Sequence, residues 1–351
     1  MNKLTKVGCS ALCSSLAAIS AANAGDLSVT GGATLTFVSI SGAGSAPNGN
    51  PLGMASAITF KGSGELDNGW TFALSIAEGD KSAYSSSNID IVMGGLGSIN
   101  FDQGDSGNGI AAYDNVMPTA WEEPYGAGLS GHVKTVLGSA ASNNIMYTTP
   151  TVLGTTIALT YAHDYGTTDT ADKTAGATSD GNDTGLDATI KINPSFGTEI
   201  LSGLNLYAGA STVERHGNAP DLKDQYEGVT AFTYDLGPVS VGAMVSGYYS
   251  GDESVATTYH TYKNSGFGIA FNVNDDLSVS YGEYKTRKTG VAHSSVSQGG
   301  PEQRLVDVSS IQAAYTMGGA TISIADVNVD NAGFAQANDQ VATIVSLGLA
   351  F

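Results

Sequence analysis

The stretch Val239-Ser240-Val241-Gly242-Ala243-Met244-Val245-Ser246-Gly247-Tyr248-Tyr249 decides the fold. Val239, Val241, Ala243, Val245 and Tyr249 alternate with Ser240, Gly242, Ser246 and Tyr248. Successive strand residues point to opposite faces, so this segment has an apolar face and a small or polar face. It is also long. A strand of about 9–11 residues, tilted, crosses the hydrocarbon core of a bilayer. Just before it, Asp235-Leu236-Gly237 supplies turn chemistry and Tyr234 ends a preceding alternating run.

The same period of two recurs along the chain. Leu27, Val29, Ala33, Leu35 and Phe37 alternate with Ser28, Thr30, Gly32, Thr34 and Thr36. Trp70, Phe72, Leu74 and Ile76 form another such run, as do Leu277, Val279 and Tyr281. The chain ends on Val341, Thr343, Val345, Leu347, Leu349 and Phe351. A soluble sandwich shows the same alternation, so further features must decide. Segments are mostly about 9–11 residues long, aromatics such as Phe37, Phe101, Tyr147, Tyr161, Phe271, Tyr281 and Tyr315 sit on the apolar phase, and connections alternate between short and long. Short turns are Asp67-Asn68-Gly69, Gly94-Gly95, Asn274-Asp275-Asp276 and Gly318-Gly319. Long polar connections fall near 39–53, 103–142, 165–183, 214–224, 251–257, 288–303 and 330–340. The pattern predicts an all-β transmembrane antiparallel barrel of about sixteen strands, wide enough for an aqueous channel.

The first residues read as an export signal. Lys3 and Lys6 precede a mildly apolar run, and Ala22-Asn23-Ala24 is a small-x-small cleavage pattern. We therefore expect a cleaved signal peptide over 1–24 and one barrel domain over 25–351. Cys9 and Cys13 both lie in the signal, so a mature chain has no thiol for catalysis, metal binding or stapling. No apolar run beyond it reaches the ~18 residues of a helical span. The formal net charge of -19 becomes about -21 once Lys3 and Lys6 leave. Such a chain repels nucleic acid and attracts cations.

Three stretches carry a family resemblance. Gly97-Ser98-Ile99-Asn100-Phe101-Asp102-Gln103-Gly104-Asp105 resembles the strand that leads into the constriction loop of the Gram-negative trimeric porins, particularly the alphaproteobacterial ones. Tyr234-Asp235-Leu236-Gly237-Pro238-Val239-Ser240 resembles their recurrent strand–turn–strand, and the terminal Phe351 resembles the barrel-assembly signal of outer-membrane proteins. The resemblance implies an outer-membrane general diffusion channel for small polar solutes and ions. It also implies a homotrimer, seating in a lipid bilayer and delivery by the barrel-assembly machinery.

In that family the third long loop folds into the lumen. Here the corresponding segment, 103–142, carries Asp105, Asp114, Glu122 and Glu123, with Pro118, Trp121 and Pro124 to stiffen it. Long loops are usually functional or disordered; the resemblance implies that this one is the pore constriction lined by those acids, and an outward-facing acidic loop is the alternative. Lys61 is out of phase with Ile58 and Phe60, Lys191 is out of phase with Ile190 and Ile192, and Arg215 continues the phase of Asn205, Tyr207 and Ser211. All three are expected on the lumen wall, or as ordinary rim charges. The family's tight arginine cluster is not recognisable. These charges predict a cation-preferring pore.

Other motifs are weak. Gly107-Asn108-Gly109-Ile110-Ala111-Ala112 matches a dinucleotide fingerprint, but no βαβ unit follows. Asn182-Asp183-Thr184 matches a glycosylation sequon. His163-Asp164 is the only His–carboxylate neighbour pair, which a rim-active hydrolase would need, and it falls at a strand end. Asp252-Glu253, Asp275-Asp276 and the acidic loop could hold Ca or Mg loosely; no cofactor is expected and a metal site stays undefined. A substrate-specific channel, a rim hydrolase and an adhesive barrel remain the alternatives.

Overall fold

The computed structural model describes residues 24–42, 50–80, 82–103, 107–126, 133–166, 183–194, 201–215, 222–251, 259–291 and 305–351. The expected signal peptide therefore lies outside them, save Ala24. Sixteen strands among these residues form one closed antiparallel barrel. They are β1 (Ala24–Gly42), β2 (Leu52–Glu65), β3 (Thr71–Gly79), β4 (Ser82–Val92), β5 (Ser98–Gln103), β6 (Asn143–Thr148), β7 (Thr155–Ala162) and β8 (Gly185–Ile192). The second half comprises β9 (Leu204–Val213), β10 (Gln225–Leu236), β11 (Val239–Tyr249), β12 (Tyr259–Asn272), β13 (Leu277–Val291), β14 (Leu305–Met317), β15 (Ala320–Asp330) and β16 (Gln340–Ala350). Each strand pairs with the next in sequence, and β16 returns to β1.

Turn chemistry sets one end of the barrel. Asn68 Oδ1 accepts from the Trp70 amide at 3.1 Å, and Gly69 takes φ of +81°, which suits glycine. Asn274 Oδ1 accepts from the amides of Asp276 and Leu277 at 2.9 and 2.8 Å. The opposite end carries the long connections, apart from the short β3–β4 link, where Asp80 accepts from the Ser56 amide at 3.0 Å.

The strands vary in length more than the alternation predicts. β1 has 19 residues, whereas β5 and β6 have 6 each, because there the chain leaves the wall for the 103–142 segment. Leu27, Val29, Leu35, Phe37, Phe60, Phe101, Tyr147, Tyr161, Phe271, Tyr281 and Tyr315 are all exposed, which identifies the outer, lipid-facing side. Their sequence neighbours face the lumen.

One sector departs from apolar-out. In the upper halves of β13 to β15 the outward residues are Glu283, Lys285, Asp307, Asp326 and Asp330, while Val306, Val308, Val327 and Val329 are buried on the inside. The inner valines find apolar partners within the barrel. Phe334, on the turn Ala332–Phe334 between β15 and β16, packs among them, joined by Trp121, Tyr125 and Val133 of the long loop. The lumen is therefore partly filled on this side. Ala55, Ala57, Lys61 and Ser63, on the inner face of β2, are exposed instead. The open part of the lumen runs along this stretch of wall, four strands round from β14.

Candidate functional site

The 103–142 segment is bound across the inner wall by side chains that alternation points inward. On β8, Asp187 lies between the outward residues Leu186 and Ala188. Its carboxylate accepts from the Ile110 amide at 3.1 Å, the Ser139 amide at 3.0 Å and the Ser139 hydroxyl at 2.9 Å. On β10, Glu227 accepts from the amides of Leu137 at 2.6 Å and Gly138 at 3.2 Å. Bonds to a charged acceptor contribute about 1.5–3 kcal/mol each. Asp187 thus joins both stems of the loop, and Glu227 holds the second.

The tip is held farther round. The Ala120 amide donates to Ser280 Oγ at 2.9 Å. Gln312 Oε1 accepts from the amides of Trp121 at 3.2 Å and Glu122 at 3.0 Å, and its Nε2 donates to the Glu122 carbonyl at 2.7 Å. Asn264 Nδ2 donates to the Lys134 carbonyl at 2.6 Å. The loop therefore spans from β8 to β14.

A glycine row lets it lie close. Gly242, Gly268 and Gly282 are direct neighbours across β11, β12 and β13. A Cβ on Gly242 would stand 2.7 Å from Pro118 Cδ, on Gly268 2.6 Å from the Pro118 carbonyl oxygen, and on Gly282 2.7 Å from Pro124 Cγ. Buried Ile110, Met117 and Val136 pack on Val229, Met244 and Tyr284 of the wall.

The tip presents its acids together. Burial, and then the charge of Glu123, push Asp114 up to about 6, and raise Glu122 above the ordinary carboxylate range. Glu123 accepts from Asn115 Nδ2. Asp105, the fourth predicted acid, lies outside the described residues.

This arrangement — a closed sixteen-stranded barrel with a long inward-folded loop after β5 — agrees with the comparison by sequence. The model of the Gram-negative porin family matches residues 8–351. The chain belongs to that family. It is an outer-membrane diffusion channel. No curated protein matches the chain. Among solved structures, the porin is similar to Salmonella typhi OmpF in complex with daunomycin, at 12% identity over 93% of this chain and 97% of that one, with a TM-score of 0.66. It is similar to the outer-membrane channel DcaP of Acinetobacter baumannii, at 10% identity over 93% and 97%, TM-score 0.65. The anion-selective porin from Comamonas acidovorans matches at 14% identity over 93% and 100%, TM-score 0.61. These identities carry the fold alone.

The porin's three predicted bases are dispersed. Lys61 stands exposed on the inner face of β2 between Ser28 and Ser75. The Lys191 ammonium is 5.5 Å from the Tyr207 ring centroid, and that ring meets Tyr113 of the loop edge-on at 5.2 Å. Arg215 sits above β9, where Nη1 donates to the Ser250 carbonyl at 2.6 Å. Phe351 closes the barrel: its amide donates to the Gly31 carbonyl at 2.9 Å and its carbonyl accepts from the Gly31 amide at 3.0 Å.

The weaker motifs resolve plainly. Gly109–Tyr113 is a single 3-10 turn, so no helix follows the glycine motif. His163 is exposed on the outer side, its Nδ1 2.9 Å from the Tyr161 hydroxyl. Asp252-Glu253 and Asn182 lie outside the described residues. Among the described residues no three His, Cys, Asp or Glu side chains gather as metal ligands, and no helix is long and apolar enough to cross a membrane. Sequence reasoning missed Asp187, Glu227, Asn264, Ser280 and Gln312. The available signal was their inward phase, the same one that marked Lys191.

Proposed function

We propose that this porin conducts small polar solutes and ions passively, prefers cations, and is narrowed by the 103–142 loop, whose acids Asp105, Asp114, Glu122 and Glu123 line the narrow zone. The observation that carries the reading is the attachment of the acid-bearing tip to Ser280 and Gln312, deep on the inner wall. Acids in a water-filled passage with low-dielectric walls concentrate cations and exclude anions. The dispersed bases Lys61, Lys191 and Arg215 offer weaker opposition, so the field across the passage is shallow. Selection then follows size and sign of charge, with no covalent step.

The decisive experiment is the zero-current potential in planar bilayers under a potassium chloride gradient. Wild type is expected to favour potassium. The combined change Asp105→Asn, Asp114→Asn, Glu122→Gln and Glu123→Gln should move the potential toward neutrality. An unchanged preference would remove these acids from the ion path. The proposal extends to export through a cleaved 1–24 signal and to a homotrimer. Mature protein beginning elsewhere than Gly25, or a single-barrel mass in mild detergent, would count against those parts.

A further inference from the structure

The outer wall carries a feature that conduction does not use. On β12, Lys263 faces outward and is exposed; directly across, on β13, stands Arg287, also outward and exposed. Like charges directly opposite on antiparallel strands repel. Neither has a carboxylate across from it. The other neighbour of Lys263 is Gly247 and that of Arg287 is Leu305. The nearby Lys285 is engaged by Glu283 and by Asp307 at 3.0 Å.

Beside the cation pair the wall is hollow. Gly247 is followed in the same row by Gly228, and a Cβ on either would meet nothing nearer than 3.8 Å. Above this hollow the rings of Tyr226 and Tyr249 stack at 6.3 Å. Below it the wall turns apolar: Val245, Phe267, Ile269 and Tyr281 are exposed, and the Phe267 and Tyr281 rings lie 5.8 Å apart. Lys263 is eight positions above Phe271, or about 20 Å up a strand tilted by about 40°. On β13 the outward apolar residues end at Tyr281, with Glu283 and Lys285 between it and Arg287, so the pair stands above the apolar band, at the level of headgroups.

We propose that Lys263 and Arg287 form a binding site for one phosphorylated lipid of the outer leaflet. The phosphate bridges the two cations over the Gly228–Gly247 hollow, and an acyl chain runs down past Phe267 and Tyr281. A guanidinium offers paired donors to phosphate oxygens, and the ammonium adds a point charge. The bound anion removes the repulsion across the β12–β13 pair. The site uses the outer-membrane location and is independent of ion selectivity in the lumen.

The test is native mass spectrometry of the whole barrel in neutral detergent, titrated with short-chain phosphatidic acid, short-chain phosphatidylcholine or inorganic phosphate. Wild type should retain phosphatidic acid about tenfold more tightly than phosphatidylcholine. Lys263→Gln and Arg287→Gln should each lose most of that preference, and Lys263→Arg should keep it. Undiminished preference in both single Gln variants would overturn the site. Equal retention of phosphatidylcholine would overturn the phosphate contact. Displacement of the lipid by inorganic phosphate at similar concentration would overturn the lipid assignment and leave a bare anion site.

Discussion

Acidification should titrate the selectivity of this porin through Asp114. Burial and Glu123 hold that carboxyl up to about 6. At pH 8 it is almost wholly ionised, and at pH 5 about one tenth remains ionised. The tip then loses nearly one of the three charges carried by Asp114, Glu122 and Glu123. Glu122 is raised for the same reasons, burial and then the charge of Glu123. The assay is the zero-current potential between 0.1 M and 0.01 M potassium chloride, measured from pH 8 to pH 5. Those solutions leave charges a reach of about 10 to 30 Å, whereas 1 M salt cuts it to about 3 Å and should flatten the effect. Cation preference should fall with a midpoint near 6, and Asp114→Asn should start low and stay level through that interval. The fold itself should not weaken. A carboxyl with a native pKa above its unfolded value binds more protons when folded, so its contribution to stability grows as pH drops from 6 toward 4. A level wild-type profile, or an intact step in Asp114→Asn, would refute the placement of Asp114 beside the ion path.

Gly268→Val should dislodge the loop tip, because its Cβ would meet the Pro118 carbonyl oxygen at 2.6 Å; single-channel conductance should rise, selectivity should drop, and the barrel should lose about 1–3 kcal/mol in thermal unfolding. Conductance and selectivity both identical to wild type would show that the tip does not rest there. Gln312→Ala removes three hydrogen bonds to Trp121 and Glu122 and leaves two amides unsatisfied, at about 1–3 kcal/mol for each buried group; its zero-current potential should fall between wild type and the fully neutralised loop. Cysteines at Asn48 and Ala337 should react with an impermeant maleimide on intact cells, and cysteines at Asn68 and Asp275 should not; the reverse pattern would invert the barrel in the membrane.

Periodicity made the wall legible. Val239 to Tyr249 alternates as a strand must, and turns such as Asp67-Asn68-Gly69 mark one end, so barrel, strand number and lumen phase all follow from local chemistry. The contents of the lumen were less accessible. Asp187 and Gln312 lie 77 and 190 positions from the amides of Ile110 and Glu122 that they bind, and nothing in either neighbourhood names its partner. The apolar interior near Phe334 is hidden for a related reason. In Val306-Asp307-Val308 the alternation is clear, but which phase points outward depends on whether an internal partner exists, and that partner comes from distant loops. Strand ends suffered too, since the shortness of β5 and β6 is set by where the loop departs.

The pairing of Phe351 with Gly31 has a consequence for how the molecule comes into being. Phe351 adds a rung to the eleven that join β16 to β1, and a side chain on Gly31 would strike the Phe351 ring at 2.8 Å. A chain without β16 cannot close this wall. Until β16 is in place, β1 and β15 each keep an unsatisfied strand edge, ready to pair with the wrong neighbour. Loss of β16 would therefore leave an open sheet rather than a shorter barrel.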